Sequence, residues 1–407
     1  RGLRGVAGRR TAMVRKRRWE EQMKKGCKAV LFIIPLLCMV AAVNWYVDSY
    51  GYLRVTYDRI GEQMAVHGRN VEGLEESDFN DRKLLLACLK QQEGSREMIV
   101  AGSSRVMNFD HYMFGTDSFY NTGLSESTFK DLLAVAGILE LNGQMPEKLM
   151  IGVDAFLFNA SHNNDRWMDL EDYVNYMEGR LEARLHAETT DGSGQAQAGT
   201  ETAVTGEAGN GRGSKDLMPQ TNTGRDHSKW LSLDYFRYNV TLLPEHKRFA
   251  VTYTQDWETE RYLKHYDGSI SYQRSLREVD VKEVEALTRQ SIEEQVVYRM
   301  TDFHKIDEES MALFAALVDY LQERGVEVML YLPPYSPMMY NYIESAEQYQ
   351  ITFQIEERIR QLAAGRHIAL YGSYDPAGCG LEMTDLYDIY HVKTEKMMDT
   401  FYPVITP

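Results

Sequence analysis

The chain has 407 residues, long enough for more than one average domain. With 43% hydrophobic and 26% charged residues, it has the apolar content of a folded protein with a large core. The net charge is −15, and it is uneven: residues 1–28 hold eleven Lys or Arg against Glu20 and Glu21, a net of +9 that leaves about −24 on the remainder. An acidic body excludes nucleic acid as a partner, because binding a phosphate backbone needs a basic face.

The basic tail runs into Ala29–Val47, "AVLFIIPLLCMVAAVNWYV", 19 residues without a charge. That is close to the ~20 residues that cross a bilayer. Trp45 and Tyr46 at the far end suit the membrane interface, and the cations before Ala29 suit the cytoplasmic side. The expectation is an uncleaved, single-pass signal anchor in the cell membrane, with the N-terminus cytoplasmic and the body extracytoplasmic. The run is long for a signal-peptide core and no small-residue cleavage site follows it. The start of the protein is open, upstream of Arg1 or at Met13. Of the four cysteines, Cys27 and Cys38 lie beside or in the apolar run, which leaves Cys88 and Cys379 as the pair able to form an extracellular disulfide. No metal-ligand spacing occurs, so neither a metal nor a cofactor is called for.

Residues 48–96 are mixed and polar, and read as a stalk with leading helices. From Glu97 the texture becomes that of a parallel α/β sheet covered on both faces. Strands are expected near Met98–Ala101, Ser118–Tyr120, Lys148–Val153, Val326–Leu332 and His367–Tyr371. Helical apolar spacing fills "ESTFKDLLAVAGILELNG", "DEESMALFAALVDYLQERG" and "SAEQYQITFQIEERIRQLAAG", each ending at a glycine suited to a C-cap. An insertion over 155–301 separates the third strand from the fourth. Its Trp167, Trp230, Trp257 and tyrosines suggest a folded cap, whereas the Gly-, Thr- and Ala-rich stretch 189–216 is expected to be disordered.

Ligands of an open parallel sheet bind outside the carboxyl ends of its strands. "AGSSR", ending in Ser103, Ser104 and Arg105, lies at such an end. A serine there can expose its hydroxyl beside the turn's amides, although serines also serve as helix caps. "FYNTGLSEST" places Asn121 and Gly123 at the end of the next strand, where a glycine amide can approach an anion, with Ser125 or Ser127 available as a helix cap. Near the C-terminus, "DLYDIYH" spaces Asp388 three residues before His391, so the carboxylate can orient the imidazole, with Asp385 as a rival partner. "YLPPYSP", Tyr331–Pro337, should rim the same site, as a substrate contact or as a stiff loop.

In their order, strand-GSS, strand-NTG, strand-"GVD" and the terminal DxxH resemble the SGNH or GDSL superfamily of serine esterases and acyltransferases. The resemblance covers about 97–154 and 326–401, with the insertion outside it. It implies a three-layer, flavodoxin-like SGNH fold over 97–407. It also implies Ser104 as nucleophile, Asp388 and His391 as its partners, and Gly123 as an oxyanion donor. The family's third block is GxND, whose asparagine donates to the oxyanion, but "IGVDAF" puts Asp154 in that place, and an ionised carboxylate cannot donate. Either Asp154 is protonated or plays another role, or the hole relies on the amides of Ser104 and Gly123, helped by Asn121, with Asn159 as a further candidate donor; Arg105 is a candidate for holding an acidic group of the substrate.

The anchored topology and the GSSR wording look most like the membrane-tethered branch, which includes the D-alanyl transfer protein of teichoic-acid modification and the O-acetyltransferases of exopolysaccharide export. That resemblance implies a serine esterase or acyltransferase on acylated cell-envelope glycan or teichoic acid, beside a multi-pass membrane acyltransferase. A catalytically silent scaffold or binding protein of such a complex is the alternative. The acyl group, the acceptor, the partner, the oligomeric state and the balance of hydrolysis against transfer stay open.

Overall fold

The structure, a computed structural model, describes residues 31, 33–54, 56–75, 79–161, 165–191, 223–245 and 248–406. They form two compact units, one of residues 1–56, 76–79 and 224–250, the other of 57–75, 80–223 and 251–407.

The larger unit is mixed α/β. Six strands, β1 (Met98–Ala101), β2 (Phe119–Asn121), β3 (Lys148–Gly152), β4 (Glu327–Leu332), β5 (Ala369–Gly372) and β6 (Pro403–Ile405), make one sheet in the order β2-β1-β3-β4-β5-β6. The first five pair in parallel, with Val100 opposite both Asn121 and Met150, and β6 joins antiparallel. Those five are the strands expected from the sequence. The edge strand β6 is not, because three residues opening on a proline carry no periodic signal and only an edge tolerates them. The strands are buried on both faces, as parallel strands require. On one face Met98, Val100, Met150, Met329 and Tyr331 pack with Val106, Phe109 and Val392 from the loops at the carboxyl end. Core and site therefore share a wall.

Helices of the larger unit include α1 (Asp81–Gln91), α2 (Phe129–Leu141), α3 (Glu171–Asp191), α4 (Glu308–Glu323) and α5 (Ile351–Arg366), of which α2, α4 and α5 fall where the apolar spacing put them. Glycines 143 and 325 follow α2 and α4 at positive φ, as expected of C-caps. The third expected cap is wrong: α5 runs through Gly365 and stops at His367, which itself takes the left-handed conformation (φ 53).

Of the stalk and leading helices expected over 48–96, the helices are present and belong to the larger unit from Tyr57 on. Helix Tyr57–Ala65 packs on α1 so closely that a Cβ on Gly61 would come within 2.7 Å of the Ala87 carbonyl carbon. Residues 155–301 are not one cap. Its α3 lies along α2 and α4, and its strands Thr252–Thr254, Leu263–Lys264 and Ile270–Ser271 make an antiparallel sheet with Asn70–Glu72. Residues 192–216 of the low-complexity stretch lie outside the described residues, while Thr189–Asp191 extend α3.

In the smaller unit residues 33–47 are helical, followed by a 3-10 turn, His227–Leu231, and helix Leu233–Leu242. Among the described residues no helix is long and apolar enough to cross a membrane. Ala29, Val30 and Phe32 of the expected span, and the basic tail 1–28, lie outside them. Cys38, Cys88 and Cys379 are free thiols, so the Cys88–Cys379 bond left open by counting is not formed.

Candidate active site

The chain turns sharply at the carboxyl end of β1. Gly102 has φ 152, and a Cβ there would meet Val106 at 3.0 Å and the Gly152 carbonyl at 3.2 Å, so only glycine fits. Ser103 caps the 3-10 turn Ser104–Val106, its Oγ accepting the Arg105 N–H at 3.2 Å. Ser104 opens that turn with its hydroxyl uncommitted to the cap. Its Oγ lies 2.8 Å from His391 Nε2.

His391 sits in a closed loop rather than on a helix. Leu386 and Val392 pair across it, and the Tyr387 N–H donates to the His391 carbonyl at 2.8 Å. Asn108 pins it to the segment after Ser104, donating to the Val392 carbonyl at 3.0 Å. His391 Nδ1 is 2.8 and 3.0 Å from the two Asp388 oxygens, which also accept the N–H groups of Tyr390 and His391. Burial favours the protonated carboxyl, but the adjacent imidazole and these hydrogen bonds outweigh it and bring Asp388 down to about 2. Nδ1–H therefore donates to Asp388, leaving Nε2 to accept from Ser104. Asp385 instead closes its own turn, accepting the Glu382 N–H at 2.9 Å.

The expected oxyanion donors are arranged differently. Asn121 is buried, its Nδ2 donating to the carbonyls of Val106 (2.8 Å) and Phe109 (2.9 Å). Its Oδ1 accepts the Gly123 N–H at 2.8 Å, so the Gly123 amide is already engaged. Asn159 Nδ2 donates to the Arg299 carbonyl, and Asn159 borders a different, polar cavity. Asp154 is fully buried and accepts from Arg105 Nη1 at 2.8 Å. The buried carboxylate thus has a partner: Arg105 follows Ser104 and brings the charge that Asp154 complements. Arg105 Nη2 also donates to the carbonyls of Pro333 (2.7 Å) and Pro334 (2.5 Å), and the guanidinium lies 4.6 Å over the Tyr335 ring. Burial alone favours its neutral form, but Asp154 more than offsets this. Arg105 Nε and Asp154 Oδ2 are buried and unpartnered among the described residues.

Ser104, Arg105 and His391 open on a cavity of about 240 Å³. Its other walls are largely aromatic: Phe156, Tyr298, Tyr335 and Tyr390. Tyr335 comes from the loop expected to rim the site, and the same loop supplies the carbonyls that hold Arg105. Tyr390 lies inside the DxxH spacing, where it was visible but not singled out. Its hydroxyl accepts the Tyr298 N–H at 2.9 Å. Tyr298 itself comes from the end of the insertion, 194 residues after Ser104, and no local signal marks it. Ser125 and Glu126 complete the rim, the Glu126 carboxylate bonded to Arg299 at 2.6 Å. Among the described residues no group of His, Cys, Asp or Glu is placed to hold a metal ion. The chain matches no model of a known protein family, and a comparison with curated proteins finds no match.

Proposed function

We propose that the chain is an extracytoplasmic serine esterase or acyltransferase of SGNH type, acting on an acylated cell-envelope glycan or teichoic acid. One observation carries this reading: at the carboxyl end of a central parallel strand, Ser104 Oγ lies 2.8 Å from His391 Nε2 while His391 Nδ1 lies 2.8 Å from an Asp388 oxygen. The strand order β2-β1-β3-β4-β5 is that of flavodoxin-like sheets, which supports a three-layer fold of that kind. The uncharged run 29–47 is read as the signal anchor that holds the body at the outer membrane face, next to lipid and within reach of a multi-pass acyltransferase.

In the mechanism, His391 takes the Ser104 proton while Ser104 Oγ attacks the ester carbonyl, and Asp388 stabilises the imidazolium that forms. The imidazolium then protonates the departing alkoxide, leaving an acyl-serine. Water or a glycan hydroxyl, deprotonated by His391, resolves it. With the Gly123 amide bonded to Asn121, the oxyanion falls to two groups. One is the Ser104 amide, which at the first position of its turn has no intrahelical acceptor. The other is the Arg105 guanidinium. The aromatic walls suit a small uncharged acyl group better than a charged one.

The test is burst kinetics of the full chain in nanodiscs with p-nitrophenyl acetate, beside Ser104→Ala and Ser103→Ala. The expected result is a burst that Ser104→Ala abolishes, with turnover down by at least about 10³-fold, while Ser103→Ala keeps it. The occupied Gly123 amide favours a second reading, a silent scaffold or binding protein of an envelope-modification complex. Absence of a burst in the wild type and of any acyl-Ser104 after incubation with acetylated glycan would select it.

A further inference from the structure

The smaller unit takes no part in this site, yet the exposed apolar side chains gather there. Of the 19 large hydrophobic side chains exposed among the described residues, eight lie between Leu31 and Tyr46. Four more, Trp230, Leu231, Leu233 and Val240, lie in the 227–242 segment of the same unit.

The two groups meet at Asn44, the strongly polar residue of the apolar run. It is fully buried, and Nδ2 donates to the carbonyls of Lys229 (2.9 Å), Ser232 (3.1 Å) and Trp230 (3.2 Å) while Oδ1 accepts from Asn239 (3.1 Å). Just beyond, Asp48 closes the helix end by accepting the N–H groups of Tyr52, Leu53 and Arg54 and the Tyr235 hydroxyl. Polar groups thus turn inward and large apolar ones outward, the inverse of a surface built for water. Cations border the aromatics: Arg54 lies 5.7 Å over Trp45, and Arg248 5.9 Å over Tyr46. Residues 224–250 hold five Lys or Arg against three acids, a net of +2 in a strongly acidic body.

We infer that the segment His227–Leu242 is an interfacial collar, lying in the headgroup–acyl boundary of a bilayer where the apolar run 29–47 leaves it. The occupant is lipid, because the apolar surface is continuous with a run of membrane-spanning length and is edged by aromatic and cationic residues, the chemistry of a membrane interface. The insertion therefore has two functions: Tyr298 walls the cavity, and the collar fixes the anchor's exit. This inference rests on the anchor reading and is independent of the esterase reading.

The full chain in nanodiscs made with lipids brominated near the headgroup end tests it, through tryptophan emission. The Trp230 signal is isolated as the difference between wild type and Trp230→Phe, and that of Trp45 by Trp45→Phe. The expected result is quenching of both, with the Trp230 signal losing most of its quenching in Leu231→Gln/Leu233→Gln, two exposed positions whose change leaves folding intact. Quenching of Trp45 without Trp230 overturns the collar and assigns the patch to a protein partner. Quenching of neither overturns the collar together with the anchor.

Discussion

Arg105 is held from several sides, by Asp154, by the carbonyls of Pro333 and Pro334 and by the Tyr335 ring, and still keeps Nε without a partner beside the cavity. A guanidinium used only to fasten the proline loop affects stability when changed, whereas one facing a developing oxyanion affects the chemical step. Arg105→Lys keeps the charge but loses the fork, so kcat should fall about 10²- to 10³-fold with KM little changed. Steady-state kinetics beside a melting curve decide: a lowered Tm with unchanged kcat would leave Arg105 a fastener. Asp388 makes a second prediction. Held at about 2, it stays ionised through the assayable range and so keeps the imidazole in the tautomer that can accept the serine proton. Asp388→Asn should therefore lower kcat by roughly 10³- to 10⁴-fold through loss of that tautomer, and steady-state kinetics check it: an unchanged kcat would remove Asp388 from the reaction.

Between elements, two buried ion pairs fix the loops around the cavity. Arg82 of α1 forks onto Asp131 of α2 at 2.9 and 3.0 Å and also donates to the Ser125 carbonyl. Asp131 in turn belongs to the capping box that opens α2 at Thr128. Arg82→Leu leaves that carboxyl buried without its cation and should destabilise the fold by about 3–5 kcal/mol, seen as a lower Tm. Arg82→Leu/Asp131→Leu should recover much of the loss, and failure to recover would locate the effect in packing. The other pair joins His111 to Asp267 at 2.9 Å. The hydrogen bond that His111 Nδ1–H donates to Asp267 raises the imidazole, and, against the opposing effect of burial, this bond and those from Ser269 lower the Asp267 carboxyl. The raised histidine contributes stability fully below its unfolded value and loses it as pH rises through the folded one. The lowered aspartate contributes above its unfolded value and loses it as pH falls. The Tm difference between wild type and Asp267→Asn should therefore be greatest between about pH 4 and 6.5 and shrink on both sides.

Across the larger unit, the cavity joins Ser104, the proline loop, the DxxH loop and Tyr298, far apart in sequence. Tyr298→Ala should remove part of the aromatic wall, enlarge the cavity and shift preference among p-nitrophenyl esters toward longer acyl chains, read as the ratio of kcat/KM for butyrate over acetate. An unchanged ratio would remove Tyr298 from the acyl pocket. The parallel strands, their helices and the three residues Ser104, Asp388 and His391 were legible in the sequence, because apolar periodicity and short motifs are local properties. The edge strand, the left-handed stop at His367, the division of the insertion and the engagement of the Gly123 amide were not. The edge strand depends on β5 and the insertion's α3 on α2 and α4, partners distant in the chain, while the amide is engaged by Asn121 only because the carbonyls of Val106 and Phe109 orient that side chain. Asp154 shows the limit most clearly. The sequence by itself determined that a carboxylate replaces the expected donor, and only the tertiary structure decided its role, because the charge that makes its burial tolerable comes from Arg105, 49 residues away and adjacent in space.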